Sequence, residues 1–192
     1  MIDDLDKTLK ELLKLEFLDL FPTHATQVEI SFATPNKDSI TQKPAVNFFL
    51  YDVRENLELR KGGYSIERTG NGTAVKQLPP VRVDCSYLIT VWPVDESDSE
   101  TEHRLLGRVM KVLLRHRQIP EACLQGSLQG QEPPLKAMSL QPSNLQSLGE
   151  FWQAMGGKPK AALNYTVTLP VPVHEPVEAG KLVISTQIGS ET

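Results

Sequence analysis

The stretch Gly156-Gly157-Lys158-Pro159-Lys160 combines a glycine pair with two lysines, residue types that could hold a phosphate group. Phosphate loops run from a strand through a glycine turn into a helix, because the anion binds free N–H groups at the helix start. Here the glycines follow a helical pattern and precede an alternating strand pattern. We therefore interpret the stretch as a connector in which Gly156 or Gly157 adopts the left-handed conformation that ends a helix. No phosphate cofactor is predicted.

Histidines are a second group that could do chemistry, as metal ligands or general bases: His24, His103, His116 and His174. None forms an H-x-H or H-E-x-x-H pattern, and no cysteine is spaced to join one of them at a metal. His103 and His116 would lie about 20 Å apart along one helix, given its rise per residue. We interpret the histidines as surface or helix-end residues, and no metal site is predicted.

Nucleophile motifs are missing from the sequence. There is no G-x-S-x-G elbow, and neither Cys85 nor Cys123 lies in a cysteine-nucleophile pattern. Paired acids such as Asp95 and Glu96 fall at a solvated helix start, where a raised pKa is not expected. The protein is therefore predicted not to be an enzyme, although a small enzyme or ligand-binding module with a site gathered from distant residues stays open as an alternative.

A basic stripe is the most distinctive charge pattern, formed by Arg104, Arg108, Lys111 and Arg115. Their steps of four, three and four residues place them on one face of a helix. Three interpretations stay open: a solvated helix surface, an ionic contact with an acidic neighbour, or contact with nucleic acid. The formal net charge of −4 argues against nucleic acid as the main partner. Lys158 and Lys160 are added as candidate interface residues.

Length and composition suit a single soluble domain with extended arms. The chain has 192 residues, of which 40% are hydrophobic and 23% charged. Acidic residues occupy the start of the chain, where a secretory signal would be basic, and no window reaches the roughly 18 apolar residues of a membrane span. The two separated cysteines are expected to be reduced, buried thiols, which suits a cytoplasmic setting.

Hydrophobic periodicity predicts the elements that position these residues. Residues 1–19 form a helix by their leucine spacing, and a second helix is expected between Asp95 and Pro120, with Ser99 and Glu102 as a capping box. Strands are predicted at 27–35, 44–56, 81–94 and 161–173, and a short helix at 145–155. Asp84 and Cys85 are less apolar than their strand, which suggests a partly exposed edge there.

Two segments are less regular. Residues 60–78 contain Gly70-Asn71-Gly72, which predicts either a hairpin or a mobile loop. Residues 121–146 are rich in Gly, Pro, Gln and Ser, a composition that favours a long excursion over a packed element. The element order predicts an α/β (α+β) fold: a single, mostly antiparallel sheet with two main helices packed on one face. We expect the domain to span 1–173, followed by a C-terminal arm or edge strand at 174–192.

Four blocks together resemble the tail-terminator or cap proteins of extracellular contractile injection systems, which are phage-tail-like particles. These blocks are VNFFLYDVREN (46–56), LPPVRVDCSYLITVW (78–92), EHRLLGRVMKVL (102–113) and FWQAMGGKPKAALNYTVTLPVPV (151–173). Residues 121–146 match poorly. By this resemblance the following positions align with the family motifs: Asn47, Leu50, Tyr51, Arg54, Asn56, Tyr87, Leu88, Trp92, His103, Leu106, Gly107, Trp152, Asn164, Tyr165, Pro170 and Val171.

The resemblance implies a non-enzymatic subunit that forms a hexameric ring, ends the inner tube and anchors the last sheath ring. Its implied partners are other copies of itself, the sheath protein and the inner tube protein, with no nucleic acid and no cofactor. It implies assembly in the cytoplasm, within a particle that is either released or anchored to a membrane. Most motif residues are expected to determine the fold rather than to make contacts. Rival hypotheses are an enzyme with a dispersed site and a nucleic-acid-binding adaptor.

Overall fold

The computed structural model describes residues 1–16, 28–68, 73–132, 134–142, 145 and 147–181 of the protein. The α-helices in these ranges are α1 (Ile2–Leu15), α2 (Ser99–Arg115) and α3 (Leu148–Ala154). The strands are β1 (Glu29–Ser31), β2 (Ala45–Glu55), β3 (Ser65–Arg68), β4 (Thr73–Gln77), β5 (Val81–Trp92), β6 (Lys136–Ser139), β7 (Leu163–Val171) and β8 (Val177–Lys181). Short 3₁₀ turns span Leu57–Leu59, Glu121–Cys123 and Gly126–Leu128.

Five strands form the main sheet, in the order β1-β2-β5-β7-β6. β1 pairs with β2 in parallel, and the other neighbours pair antiparallel. Helices α1 and α2 cover one face, where their leucines pack against alternate residues of β5 and β7 such as Tyr87 and Tyr165. The predicted class, a mostly antiparallel sheet with two main helices on one face, is confirmed for this layer.

The middle strand, β5, corrects one expectation about an exposed edge. β5 has β2 on one side and β7 on the other, so its backbone is paired along both sides. Cys85 is fully buried, and Asp84 is half-buried with hydrogen bonds from Asn56 and Thr168. The expectation of a partly exposed edge here is therefore wrong, because polar side chains from neighbouring strands satisfy the carboxylate. Cys85 and Cys123 are both free and buried, as predicted.

Helix α2 begins with a different cap from the predicted one. Asp98 is the N-cap, and its carboxylate accepts hydrogen bonds from the backbone N–H and the hydroxyl of Thr101. Ser99 is already inside the helix, and the Glu102 carboxylate pairs with Lys160 instead of returning to the helix start. The Ser99–Glu102 capping box is therefore wrong, because an aspartate one residue earlier caps as well as serine.

Helix α1 is held by four fully or almost fully buried leucines: Leu5, Leu9, Leu12 and Leu13. Their three- and four-residue spacing forms one apolar face directed at the sheet. The helix ends at Leu15, before the predicted end at residue 19, and Glu16 follows as its C-cap. Residues 17–19 of the predicted helix and His24 lie outside the described residues.

The second face of the main sheet is contacted by a short helix and a loop. Helix α3 packs there through a tilted ring contact between Phe151 and Phe49, whose centroids are 5.9 Å apart. Ile40 packs with Ala45 and Trp92 in a small separate cluster on this side. The sheet is therefore sandwiched between two long helices on one face and a short helix with a loop on the other.

A second sheet of three strands, in the order β3-β4-β8, corrects the expectation of a single sheet. β3 and β4 pair antiparallel, which confirms a hairpin around Asn71-Gly72, although residues 69–72 themselves lie outside the described residues. β3 follows β2, β4 precedes β5, and β8 follows β7. Since β2, β5 and β7 are neighbours in the same order, the small sheet continues the three central strands past the main sheet. We call β3, β4 and β8 together the extension.

Residues 121–146 are more closely packed than their composition indicates. Two 3₁₀ turns and strand β6 lie within them, and their buried side chains join the main core. Leu128 and Leu135 are fully buried there. The predicted unpacked excursion is therefore wrong for the described part, because a few well-placed leucines suffice to anchor a segment rich in Gly, Pro and Ser.

Candidate functional site

The glycine-lysine connector begins at the end of α3, as predicted. Gly156 has a φ of 65°, the left-handed conformation that ends the helix. At Gly157 a side chain would place its Cβ 3.2 Å from the carbonyl oxygen of Pro35, so glycine permits close approach of the two segments. Asn36 also donates a hydrogen bond to the Met155 carbonyl. The connector thus holds α3 against the loop that follows β1.

A groove of about 1000 Å³ opens beside this connector. Its walls are residues 36–38, the start of α2 and residues 154–161, and Trp92 lies at its base. Lys160 crosses the groove to pair with Glu102, and its ammonium group lies 4.8 Å from the centre of the Trp92 ring. A second ammonium, from Lys43, lies 5.7 Å from the same ring. These two contacts are cation–π interactions, and they hold the Trp92 ring in place beside the groove.

Two carboxylates in the groove, those of Glu96 and Glu102, are held as ion pairs. Glu96 pairs with both Lys37 and Lys43, and the hydrogen bonds from these lysines lower the pKa of its carboxyl to about 2. A carboxylate with so low a pKa cannot act as a general acid near neutral pH. His103 lines the groove with its side chain exposed. The described residues contain no group of three or more His, Cys, Asp or Glu side chains arranged to hold a metal.

Several motif residues form a hydrogen-bonded network on the sheet face opposite α1 and α2. A register shift between Leu50 and Asp52 makes Tyr51 the extra residue of a β-bulge. The Tyr51 hydroxyl donates to Oδ1 of Asn164 at 2.6 Å. Nδ2 of Asn164 in turn donates to the carbonyl oxygens of Gln141 and Pro142, at 2.9 and 3.2 Å. Asn164 therefore ties three segments together.

A second part of the network closes the end of β2. Oδ1 of Asn56 accepts from the backbone N–H of Leu59, and its Nδ2 donates to Asp84. Arg54 donates to the Asp52 carboxylate at 2.7 Å, and this hydrogen bond raises the pKa of the Arg54 guanidinium. Both motif residues are engaged within the subunit, at the point where β2 leaves the main sheet.

The motif tyrosines on the helix-covered face are buried. Tyr87 donates its hydroxyl to the Asp6 carboxylate at 2.8 Å, which links β5 to α1. Burial raises the pKa of both Tyr87 and Tyr165, so their hydroxyls stay protonated. The Tyr165 hydroxyl has no hydrogen-bond partner within the described part of the chain. The two rings act as core residues of the helix layer.

The remaining motif positions divide between the core and the surface. Trp152 and Asn47 are buried, and Asn47 donates to the Ala33 carbonyl at 3.1 Å. Trp92 is also buried, with its indole N–H donating to Thr90. Gly107 is half-buried on α2, with open space where a side chain would project. Most motif residues therefore stabilise the fold, whereas Arg54 and His103 are exposed.

The basic stripe lies on the solvent side of α2. Arg104, Lys111 and Arg115 are exposed, and Arg108 is half-buried. Arg115 forms a salt bridge with Glu16 that joins the ends of the two long helices. The structure thus brings the four stripe residues onto one surface. Of the two other candidates, Lys158 is exposed at the groove, whereas Lys160 is engaged with Glu102.

One contact between distant segments, that of Asp4 with Ser127, was not predicted from the sequence. Asp4, near the start of α1, accepts hydrogen bonds from both the backbone N–H and the hydroxyl of Ser127, at 3.1 and 2.8 Å. Gly126 beside it has a φ of 55°. Hydrogen bonds from Ser127 and Lys7 hold the pKa of the Asp4 carboxyl well below its usual range. No signal in the sequence links residues more than a hundred positions apart, so only the fold reveals this contact.

A family model for the Pvc16 N-terminal domain matches residues 4–186. The chain belongs to this family. The match covers α2, α3 and all but the first two residues of α1, together with both sheets and the connector. It confirms the resemblance to tail terminators of contractile injection systems. No curated protein matches the chain.

Two cryo-EM structures are similar to the whole fold. One is the sheath/tube terminator of PVC, an extracellular contractile injection system, in its extended state, with 28% identity and a TM-score of 0.67. The other is the tube-terminating cap of the anti-feeding prophage, with 26% identity and a TM-score of 0.65. The matches cover 100% and 99% of this chain but 63% and 61% of those proteins. This chain therefore spans less than two thirds of each relative.

Proposed function

We propose that the protein is a structural cap subunit of a contractile injection system, acting as a tail terminator. It forms a hexameric ring on the end of the inner tube and anchors the last ring of the sheath. The observation that supports this best is the match over the full described fold with a sheath/tube terminator and a tube-terminating cap. Its partners are further copies of the chain, a tube protein and a sheath protein.

Such a subunit acts by binding other proteins through its surfaces and catalyses no reaction. A closed ring uses head-to-tail contacts, so each subunit needs two different patches for its neighbours. Contact with the tube and with the sheath requires further patches on each subunit. The basic stripe supplies one exposed charged patch on α2, and opposite charge across an interface favours orientation and rapid association. We assign the stripe to contact with an acidic surface of a particle protein.

The groove supports assembly over catalysis. Its carboxylates Glu96 and Glu102 are both engaged with lysines, which rigidifies the connector and the start of α2. A surface of fixed shape suits docking, because little side-chain freedom is lost on binding. Within the described residues, no helix has both the length and the apolar character to cross a membrane. We propose assembly in the cytoplasm into a phage-tail-like particle.

The decisive experiment is deletion of the gene in cells that produce the particles. Tube and sheath lengths measured by negative-stain microscopy should lose their uniformity, and sheaths should detach from tube ends. Supplying the protein in trans should restore both properties. Particles of normal, uniform length in the deletion strain would reject the proposal.

Charge reversal then tests the stripe. Arg104→Glu with Lys111→Glu should reduce incorporation into particles at least tenfold, whereas Lys136→Glu, an exposed lysine on β6, should not. Incorporation equal to that of the unchanged protein would remove the stripe from the interface. If nucleic acid were the partner instead, the purified protein would bind it with an affinity that falls steeply with salt.

A further inference from the structure

Arg82 carries a guanidinium group that is buried without a hydrogen-bond partner among the described residues. It lies near the start of β5, and only 8% of the residue is exposed. Within the described ranges, no oxygen accepts a hydrogen bond from its N–H donors, and no carboxylate lies within ion-pair distance. Burial lowers the pKa of its guanidinium, and the Asp84 charge opposes that shift only in part. A buried cation without hydrogen bonds is costly to a folded protein, so this group calls for a partner.

The Asp84 carboxylate does not fill that role. Asp84 projects from the same face of β5 as Arg82, because side chains two residues apart share a face of a strand. Its two oxygens accept hydrogen bonds from Asn56 and Thr168 instead, at 2.9 and 2.6 Å. Asp84 therefore offsets part of the charge on Arg82 but is hydrogen-bonded to other groups.

The surface beside Arg82 is apolar and exposed. The backbone N–H of Asn56 donates to the Arg82 carbonyl at 2.8 Å, so the 3₁₀ turn Leu57–Leu59 begins directly beside β5. Leu57 is 66% exposed and Leu59 is 37% exposed. We call Arg82, Leu57 and Leu59 together the Arg82 corner. Protein interfaces combine apolar area with arginine anchors in this way.

A carboxylate on a protein side chain is the chemistry that fits the Arg82 corner. A guanidinium forms paired hydrogen bonds with either a carboxylate or a phosphate. The negative charge of Asp84 on the same face disfavours a phosphate dianion more strongly than a singly charged carboxylate. The exposed leucines favour a ligand that brings apolar surface of its own, which a free small anion lacks.

We propose that the Arg82 corner docks a segment of another protein of the particle, with an aspartate or glutamate of that segment bound to the Arg82 guanidinium. Apolar neighbours of this acidic residue cover Leu57 and Leu59. Because Arg82 is already largely removed from water in the free subunit, little further desolvation opposes the contact. The inference rests on the proposed function and deepens it, by naming a second contact surface besides the basic stripe and the group that it accepts.

Arg82→Met tests the corner through two measurements on the full chain. Methionine removes the buried cation at a similar side-chain length, so the melting temperature should stay equal or rise by up to about 3 °C. Incorporation into particles, measured by immunoblot after complementing the deletion strain, should fall about tenfold or more. Arg82→Lys keeps the charge without the planar fork, and its incorporation should fall about threefold or more.

Two further variants separate the corner from its surroundings. Arg60→Met is the matched control, because this exposed arginine follows the same turn and already donates to both carboxylate oxygens of Glu55. Its incorporation should equal that of the unchanged protein. Leu57→Ser should change the melting temperature by less than about 1 °C, because the side chain is exposed, yet lower incorporation about threefold or more.

Three results would overturn the proposal. A melting temperature lowered by more than about 3 °C in Arg82→Met would show that the guanidinium is satisfied within the subunit. Normal incorporation of Arg82→Met would show that the corner binds no particle protein. With normal incorporation, a melting temperature raised by acetate over chloride at equal ionic strength, in the unchanged protein but not in Arg82→Met, would assign the site to a free carboxylate. Normal particle length in the deletion strain would instead reject the terminator function, so the two failures are distinguishable.

Discussion

Three segments of the chain contribute a strand to each sheet, because β3 follows β2, β4 precedes β5 and β8 follows β7. The main sheet and the extension are nevertheless stabilised differently. Over the main sheet, β2, β5 and β7 lie under two long helices that bury most of their leucines. Past the ends of those strands, the chain continues as β3, β4 and β8 with exposed apolar side chains and no helix above them in the described part of the chain. The main sheet buries its apolar side chains under the helices, whereas Ile66 and Val177 of the extension are exposed.

This contrast separates residues that maintain the fold from residues available for contact. Substitutions under the helices should lower the free energy of unfolding, because each buried side chain loses both transfer free energy and packing. Substitutions on the extension should leave the isolated subunit almost unchanged. The largest effects on stability are therefore expected in the helix layer and the segments packed against it.

The largest expected effect is at Leu128, which is fully buried in a segment whose composition resembles a loop. Leu128→Ala should lower the free energy of unfolding by about 2–5 kcal/mol, measured by urea denaturation. Leu140→Ala, in the same segment but 46% exposed, is the control and should cost less than about 0.5 kcal/mol. Equal losses would contradict the burial difference on which the comparison depends.

Gly126→Ala should come next. An added Cβ would lie 2.3 Å from the Asp4 carboxylate, which is held in place by Ser127. We expect a loss of about 1–3 kcal/mol beyond that of Gly130→Ala. Gly130 has a similar φ of 67° but open space around it, so the pair isolates the steric effect from the backbone strain. Identical denaturation midpoints for the two variants would show that the Asp4 contact is unimportant.

The contact of Asp4 with Ser127 should make the stability of the folded protein depend on pH. Hydrogen bonds from Ser127 and Lys7 depress the pKa of Asp4 below its ordinary value of 3.8 in the folded protein. A depressed carboxyl pKa adds stability above the unfolded value, and that stability is lost as the pH falls through the folded value. Denaturation midpoints of the unchanged protein and Asp4→Asn should differ at about pH 6, and the difference should narrow steadily as the pH is lowered below about 4. A gap that stays constant with pH would contradict the prediction.

A smaller effect is expected in the polar network. Tyr51→Phe removes the hydroxyl that donates to Asn164, and the loss should be about 0.5–1.5 kcal/mol, the net contribution of one hydrogen bond. Tyr64→Phe, on the extension, is the matched control and should change stability by less. Thermal unfolding of the two variants measures the difference. A larger loss of stability for Tyr64→Phe than for Tyr51→Phe would contradict the prediction, because the Tyr64 hydroxyl would then contribute more than the hydrogen bond to Asn164.

The smallest effect on the isolated subunit is expected at Ile66. Ile66→Ala should change the free energy of unfolding by no more than about 0.5 kcal/mol, because the side chain is already 65% exposed. Val109→Ala, on the buried face of α2, should cost about 0.5–1.5 kcal/mol or more and serves as the control. Comparable losses in urea denaturation would mean that the extension is packed within its own subunit.

Local patterns were sufficient for most elements. The spacing of leucines predicted α1, and alternation in VRVDCSYLITVW predicted β5 with its buried face. The order of glycine and helix in the connector ruled against a phosphate loop, and Gly156 indeed ends α3. These features depend on residues close together in the chain, where helix and strand periods differ clearly. Four motif blocks were also sufficient to indicate the family.

Long-range pairing was not predictable from one sequence. The predicted capping box at Ser99 was wrong because Asp98, one residue earlier, caps a helix as well as serine does. Glu102, the predicted partner of Ser99, is instead engaged by Lys160 from a distant segment. The packing of residues 121–146 was missed because Leu128 and Leu135 follow neither a helix nor a strand period. The sequence predicted a hairpin or a mobile loop at 60–78 and an arm or edge strand at 174–192, but not that they meet in a second sheet, because the two segments are far apart in the chain.

The sequence by itself determined the helices, the central strands, the burial of both cysteines and the family, because each is encoded by neighbouring residues. Only the tertiary structure decided that β3, β4 and β8 meet as a second sheet, that Tyr51 reaches Asn164, and that Asp4 holds Ser127. Those contacts join residues separated by many positions, so they exist only once the core has brought the strands together. The exposure of Ile66 and Val177 on the extension is a consequence of that arrangement, because neither residue's sequence neighbourhood predicts it.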